Sequence, residues 1–322
     1  MINRLPRGMR GRLAVAGLLL VLLFATGFTV VQADVLGMGG RFERLTARVE
    51  NFIDPPPDRS TLPTVIVTPA PTATATAVPT VEPSTAPSAS PSPTPLVRAP
   101  VDVAVVDDHA AVFASQLTDK DCAVAATQMV LAILGLGDTS EGFQQQIKDR
   151  IGEWEALDDS LNGGWGPAAV GLALAEYGAA GYEVRAYDTY TDALRDSAIA
   201  ITELDKPVVM FPWWGAHSWV MTGYRADADP TLFDDAVISG AYILDPWYPR
   251  VSSIWGASDG PGNFEDLPEL ERNWPAYQGP PGYESIGPGW TRPEGSYPSR
   301  DGRFMVLMPT TPRSPSSGGS AP

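Results

Sequence analysis

From Asp54 the chain changes character. "DPPPDRSTLPTVIVTPAPTATATAVPTVEPSTAPSASPSPTP" is built almost wholly from Pro, Thr, Ser, Ala and Val. Such a composition buries too little apolar surface to offset the entropy of ordering, and its prolines bias it to extended conformations. Residues 55–98 are therefore expected to form an unstructured linker or stalk. At about 3.1 Å per residue, some 40 residues reach on the order of 120 Å. The last stretch, "TTPRSPSSGGSAP" (310–322), reads as a disordered tail. Folding is thereby confined to residues 99–309, an ordinary size for one domain.

What precedes the linker reads as a targeting segment (1–33) and a juxtamembrane segment (34–54). Arg4, Arg7, Arg10 and Arg12 come before the uncharged run "LAVAGLLLVLLFATGFTVV", Leu13 to Val31. Signal-peptide cores run to roughly 7–15 residues and spanning helices to about 20. This run fits a membrane anchor, with a signal peptide cleaved after Ala33 as the alternative. In either case the positive flank leaves the body outside the cell. The first fifty residues carry seven Arg against three acids, which leaves 15 basic and 35 acidic residues to the rest. So acidic a body excludes a nucleic-acid partner. Contact with the membrane is expected through the N-terminal helix alone.

Within 99–309 the periodicities give strands at 101–106, 182–187, 207–211, 217–225, 240–245 and 303–308. They give helices at 122–134, from Ser140 as a cap through 141–154, 166–177 and 192–204. Helices come first and strands later, an α+β order. Residues 251–302, rich in Gly, Pro, Trp and Tyr, show no periodicity and read as an insertion.

Cys122 is the only cysteine, so no internal disulfide can form. It stands where a polar loop meets the helix at 122–134, a position that favours thiolate through the helix dipole and the free N–H groups. Gln116, six residues earlier, could bring an amide to the same place. His217 follows "PWWGA", and Asp245 ends the next strand in "ILDPW". Nucleophile, base, orienting acid and amide donor are the components of acyl-transfer chemistry.

These residues resemble a known family. "QLTDKDCAVAATQMVLAILG", "KPVVMFPWWGAHSWVMTGY" and "AYILDPWY" are similar to domains related to the bacteriocin-processing, double-glycine-leader peptidases, papain-like cysteine peptidases of family thirty-nine. The resemblance spans about residues 110–250. It implies a papain-like fold, with N-terminal helices on a mainly antiparallel sheet. It also implies Cys122 as nucleophile, His217 as general base, Asp245 as orienting acid and Gln116 as oxyanion donor, acting on a peptide or protein substrate with no cofactor. Ala-Val-Ala follows Cys122 where the family has Gly-Pro-Ala, and Ser218 separates His217 from Trp219.

Two other classes use the same residues differently. A cell-wall amidase or transglutaminase-like acyltransferase shares the Cys–His chemistry. An inactive, stalk-displayed binding module would bury Cys122 and bind through Trp255, Trp274, Tyr283 or Trp290. His109, in "DDHAA", reads as solvated. No metal site is marked, and there is no P-loop, dinucleotide fingerprint or CxxC pair.

Overall fold

The structure, a computed structural model, describes residues 62–68, 96–156, 159, 165–278 and 300–314. The apolar run at 13–31 and its juxtamembrane segment lie outside these residues. Among the described residues no helix is long and apolar enough to cross a membrane.

The chain forms an α+β domain on a mainly antiparallel sheet. The strands are β1 (Thr64–Val67), β2 (Val101–Ala104), β3 (Tyr182–Tyr187), β4 (Val208–Met210), β5 (Trp219–Ala226), β6 (Ile238–Leu244), β9 (Asn263–Asp266) and β10 (Phe304–Pro309). Their order is β1-β3-β10-β4-β5-β6-β9, and β2 also pairs with β5. β4 takes the first half of β5 and β2 the second half, so these two short strands share one edge of a long one. Gly223 permits this. A Cβ there would lie 2.1 Å from the Val103 carbonyl oxygen. The short β7 (Val251–Ser252) and β8 (Gly256–Ala257) make a separate hairpin.

Helices cover both faces of the sheet. Val208 and Met210 of β4, Trp219 and Met221 of β5, and Val306 and Met308 of β10 pack on α4 (Tyr190–Leu204) and α5 (Leu267–Asn273). The alternate residues, Val209, Val220 and Leu307, point the other way. There α1 (Cys122–Ile133) packs on β5, and α3 (Pro167–Glu176) packs on β3 and β10. Burial on both faces explains why these strands read as continuous apolar runs rather than alternating ones. α1 is apolar nearly all round and is buried along all but two of its residues. α2 (Glu141–Asp149) lies against it, and Ser140 caps it by accepting from the Phe143 N–H at 3.2 Å.

Four expectations change. Thr64–Val67, inside the expected linker, is an edge strand parallel to β3. Its neighbour Leu62 packs on Gly171 of α3, where a Cβ would sit 2.5 Å from the leucine side chain. The expected tail docks through Arg313, whose N–H donates to the Leu204 carbonyl at 2.8 Å. Of the expected insertion, 263–273 forms β9 and α5 and seals the core with Leu270 and Trp274, both essentially unexposed. The helix expected over 141–154 stops at Asp149, and a 3-10 turn, Ile151–Glu153, follows.

Candidate functional site

Cys122 is the first residue of α1, with Asp121 at the N-cap. Asp121 does not cap through its side chain. Its buried carboxylate accepts from the Thr118 N–H at 3.0 Å and from Lys148 Nζ at 2.9 Å. The lysine balances the buried carboxylate's charge. The loop before the helix is fixed throughout. The Leu117 N–H donates to Gln144 Oε1, and Gln144 Nε2 donates to the Ser115 carbonyl and to Gln128 Oε1. From the opposite side, Arg250 donates to the carbonyls of Gln116 and Leu117 and pairs with Asp119. The partly exposed thiol therefore rests on a loop whose polar groups are tied down.

His217 is not part of a strand. β5 starts at Trp219, and His217 closes a turn in which its N–H donates to the Pro212 carbonyl. The alternation of strand side chains therefore does not govern its direction. Ser218 is the extra step between a turn residue and a strand residue. Trp213, Trp214 and Gly215 all have positive φ, at 56, 60 and 85°. Two successive non-glycine residues in the left-handed region are strained, and such strain collects at functional sites. Tyr277 and Gln278 hold the turn. The Gln278 N–H donates to the Trp214 carbonyl at 3.1 Å, and a Cβ on Gly215 would lie 2.1 Å from the Tyr277 ring.

The turn brings His217 Nε2 to 2.6 Å from Asp245 Oδ1. Asp245 is ionised, so Nε2–H is the donor. Nδ1 is not engaged by Asp245, and the Cys122 thiol lies near enough to the ring to influence its acidity. The imidazole is 3% exposed. Trp213 stacks on it at 4.0 Å and 16°, and Trp247 meets it edge-on at 6.3 Å. Burial is the largest influence on its acidity and pulls its pKa down. The Asp245 charge, the hydrogen bond to Asp245 and the contact with Cys122 together outweigh burial, and the pKa is raised to about 9. Burial also pushes the Asp245 carboxyl up. His217, Ser258 and the Trp247 N–H overcome it and hold the group below the usual carboxylate range.

Asp245 accepts two further hydrogen bonds, from the Trp247 N–H to Oδ1 at 2.8 Å and from Ser258 Oγ to Oδ2 at 2.6 Å. Ser258 was not anticipated. It follows β8, within the segment read as an insertion, where no pattern marks it. Trp213 and Trp247 were also missed as site residues, although "PWWGAH" and "LDPW" place them beside the two that were found.

Gln116 is buried and linked to the same corner, since its N–H donates to the Pro246 carbonyl at 2.9 Å. Its side-chain amide donates to the Thr118 carbonyl at 2.7 Å, which uses one of two hydrogens. Its Oε1 is buried without a partner among the described residues. The structure thus joins His217 and Asp245 in a buried hydrogen bond, brings Cys122 near enough to the ring to influence its acidity, and sets Gln116 in the loop before Cys122.

Other candidates fall elsewhere. His109 is half-buried rather than solvated, with Nε2 2.9 Å from Thr222 Oγ1, and burial lowers its pKa against the pull of Asp108. Trp274 is core, Trp255 flanks Trp213 and Trp214, and Tyr283 and Trp290 lie outside the described residues. The fold also assembles an oxygen cluster that no spacing marks. Asp259, Glu265 and Glu269 bring carboxylate oxygens within 4.8 Å of one another, a donor set suited to a hard cation. No protein-family model matches this chain, and no curated protein matches it.

Proposed function

We propose that this is a papain-like thiol hydrolase that cleaves a peptide or amide bond. One observation carries the reading: a cysteine at a helix N-terminus near enough to a buried histidine to influence its acidity, and a carboxylate, also buried, 2.6 Å from that histidine's Nε2. Nucleophile, base and orienter in series are the arrangement that acyl transfer needs.

Cys122 passes its proton to His217 Nδ1, and the thiolate attacks the substrate carbonyl carbon. The oxyanion is stabilised by the Cys122 N–H and by the remaining amide hydrogen of Gln116. The imidazolium gives its proton to the leaving nitrogen, the C–N bond breaks and a thioester remains. His217 then takes a proton from water, the hydroxide adds to the thioester, and collapse releases the acid and the thiol. Asp245 stays ionised throughout and holds Nε2–H in place. In this reading the domain is exported and carried on the linker, with the apolar run at 13–31 as its membrane anchor.

The test is alkylation of Cys122 by iodoacetamide in the full chain, followed by intact mass against pH. Wild type is expected to react at pH 6, where an ordinary thiol of pKa about 8.5 is almost wholly protonated, and His217→Ala is expected to lose that reaction. A thiol that reacts only in denaturant, or equally in both proteins, overturns the hydrolase and leaves a binding module.

A further inference from the structure

The β7–β8 hairpin adds nothing to the core. Among the described residues it pairs with no strand of the main sheet, and none of residues 251–257 is buried. Val251 and Ile254 are 70% and 71% exposed. So short a strand pair is marginal by itself. What the hairpin and its flanking residues touch is the candidate site.

At its entry, Arg250 Nη2 donates to the Gln116 carbonyl at 2.8 Å and to the Leu117 carbonyl at 3.1 Å, and Nη1 pairs with Asp119 at 2.7 Å. These groups belong to the loop that delivers Cys122. At its exit, Ser258 Oγ donates to Asp245 Oδ2 at 2.6 Å and is the only donor to that oxygen among the described residues. Oδ1 is held separately, by His217 Nε2–H and the Trp247 N–H. A carboxylate gripped at one oxygen still turns about its Cβ–Cγ bond, because that torsion is soft. Gripped at both, its plane is fixed, and with it the direction from which it accepts from His217. Between entry and exit, Trp255 lies parallel to Trp213 at 6.0 Å, and Trp213 stacks on His217. The two ends are tied to each other, since the Ser258 N–H donates to the Arg250 carbonyl at 3.3 Å.

We propose that residues 250–258 form a positioning clamp that holds the nucleophile and base halves of the site in register, with Ser258 fixing the Asp245 carboxylate and Arg250 fixing the loop before Cys122. Both are positioning residues, since neither touches the reacting atoms. The proposal rests on the hydrolase reading for its effect on rate, though the clamp's geometry stands without it. A guanidinium suits the entry, because its planar fork spans two carbonyls and a carboxylate as an ammonium does not. Register matters because a misplacement of about 1 Å costs on the order of 10²-fold in rate.

The test uses the full chain and three readouts. These are iodoacetamide alkylation of Cys122 against pH, the deshielded proton resonance of His217 Nε2–H (assigned by its absence from His217→Ala), and the melting temperature. Ser258→Ala is expected to slow alkylation at pH 6 about tenfold and to broaden or abolish the resonance. Ser258→Thr, which keeps the hydroxyl, is expected to restore both. Arg250→Lys is expected to slow alkylation about threefold and to leave the resonance in place. Ile254→Ser, at the exposed tip, is expected to match wild type throughout. Wild-type alkylation and resonance in Ser258→Ala overturn the clamp, as does a Ser258→Thr that melts like wild type and rescues neither. Equal losses in Ile254→Ser and Ser258→Ala overturn it too, because the hairpin's fold and not its two contacts would then be responsible. If Ser258→Ala does not fold, Arg250→Lys decides, and a wild-type rate there overturns the clamp. If wild-type Cys122 is unreactive at pH 6, the hydrolase falls and the resonance alone judges the clamp. If Cys122 reacts and Ser258→Ala changes nothing, only the clamp falls.

Discussion

The two halves of the site are built on different principles. The nucleophile half is one contiguous stretch, residues 115–122, in which backbone and side-chain groups find partners in Gln144, Lys148 and Arg250. The base half is gathered from the 212–217 turn, the 245–247 corner and the loop after β8. It holds two tryptophans with left-handed backbone and three indole N–H groups, of Trp213, Trp219 and Trp247, that lack a described partner. Gln116 Oε1 is the exception on the nucleophile side. A domain that needed only stability would not keep strain and unpaired donors together around a buried histidine. The contrast places the fully tied backbone around Cys122, and the strained, donor-rich segments around His217.

The largest expected effect breaks the base half. Asp245→Ala removes the acceptor of His217 Nε2–H, the Trp247 N–H and Ser258 Oγ–H. Loss of one partner from a buried ion pair costs about 3–5 kcal/mol. Loss of the orienting acid is expected to slow acyl transfer on the order of 10³–10⁴-fold. Thermal melts and single-turnover rates on a scissile amide measure the two effects. The pH dependence follows in sign. His217 is raised from 6.5 to about 9, so it contributes stability fully present below pH 6.5 and lost as pH rises through 9. Wild type should lose stability across that window, and Asp245→Ala, without the principal cause of the shift, should not.

The nucleophile half should respond differently. Lys148→Met leaves the buried Asp121 carboxylate with the Thr118 N–H as its described donor. Because Lys148 is a third exposed, the expected cost is about 1–3 kcal/mol, with alkylation of Cys122 at pH 6 slowed by the unpaired negative charge beside it. If the melt falls while alkylation is unchanged, Asp121 and Lys148 hold the loop and do not tune the thiol.

The same contrast explains what the sequence made legible. A contiguous stretch announces itself, so the polar loop, Cys122 and the start of the helix could be read directly. His217 and Asp245 could be read because each borders a strand with a clear apolar run. Ser258 could not, because it acts from a two-residue strand pair in a region without periodicity. Glu265 sits in a four-residue strand whose burial comes from pairing with β6. β1 was hidden by its surroundings. "TVIV" has strand chemistry, but it lies among prolines, and only the edge of β3 gives it hydrogen-bond partners. A reading from the composition of a long window missed four residues that tertiary pairing recruits. The papain-like resemblance ended near residue 250 and carried no information about 251–302.

The smallest expected effect should run opposite to the first and would sharpen the contrast. Glu265 is held near pKa 7, above its usual 4.5, mainly by burial, with Glu269 and Asp259 adding to it. A carboxyl raised on folding binds more protons in the native state than in the unfolded state between those values, so stability falls as pH rises from 4.5 to 7. Glu265→Gln removes that penalty and keeps the shape. It is expected to raise the melting temperature by a few degrees at pH 8 and to leave it unchanged at pH 4. A variant that is less stable at both pH values would show Glu265 to be a structural acid held by its partners.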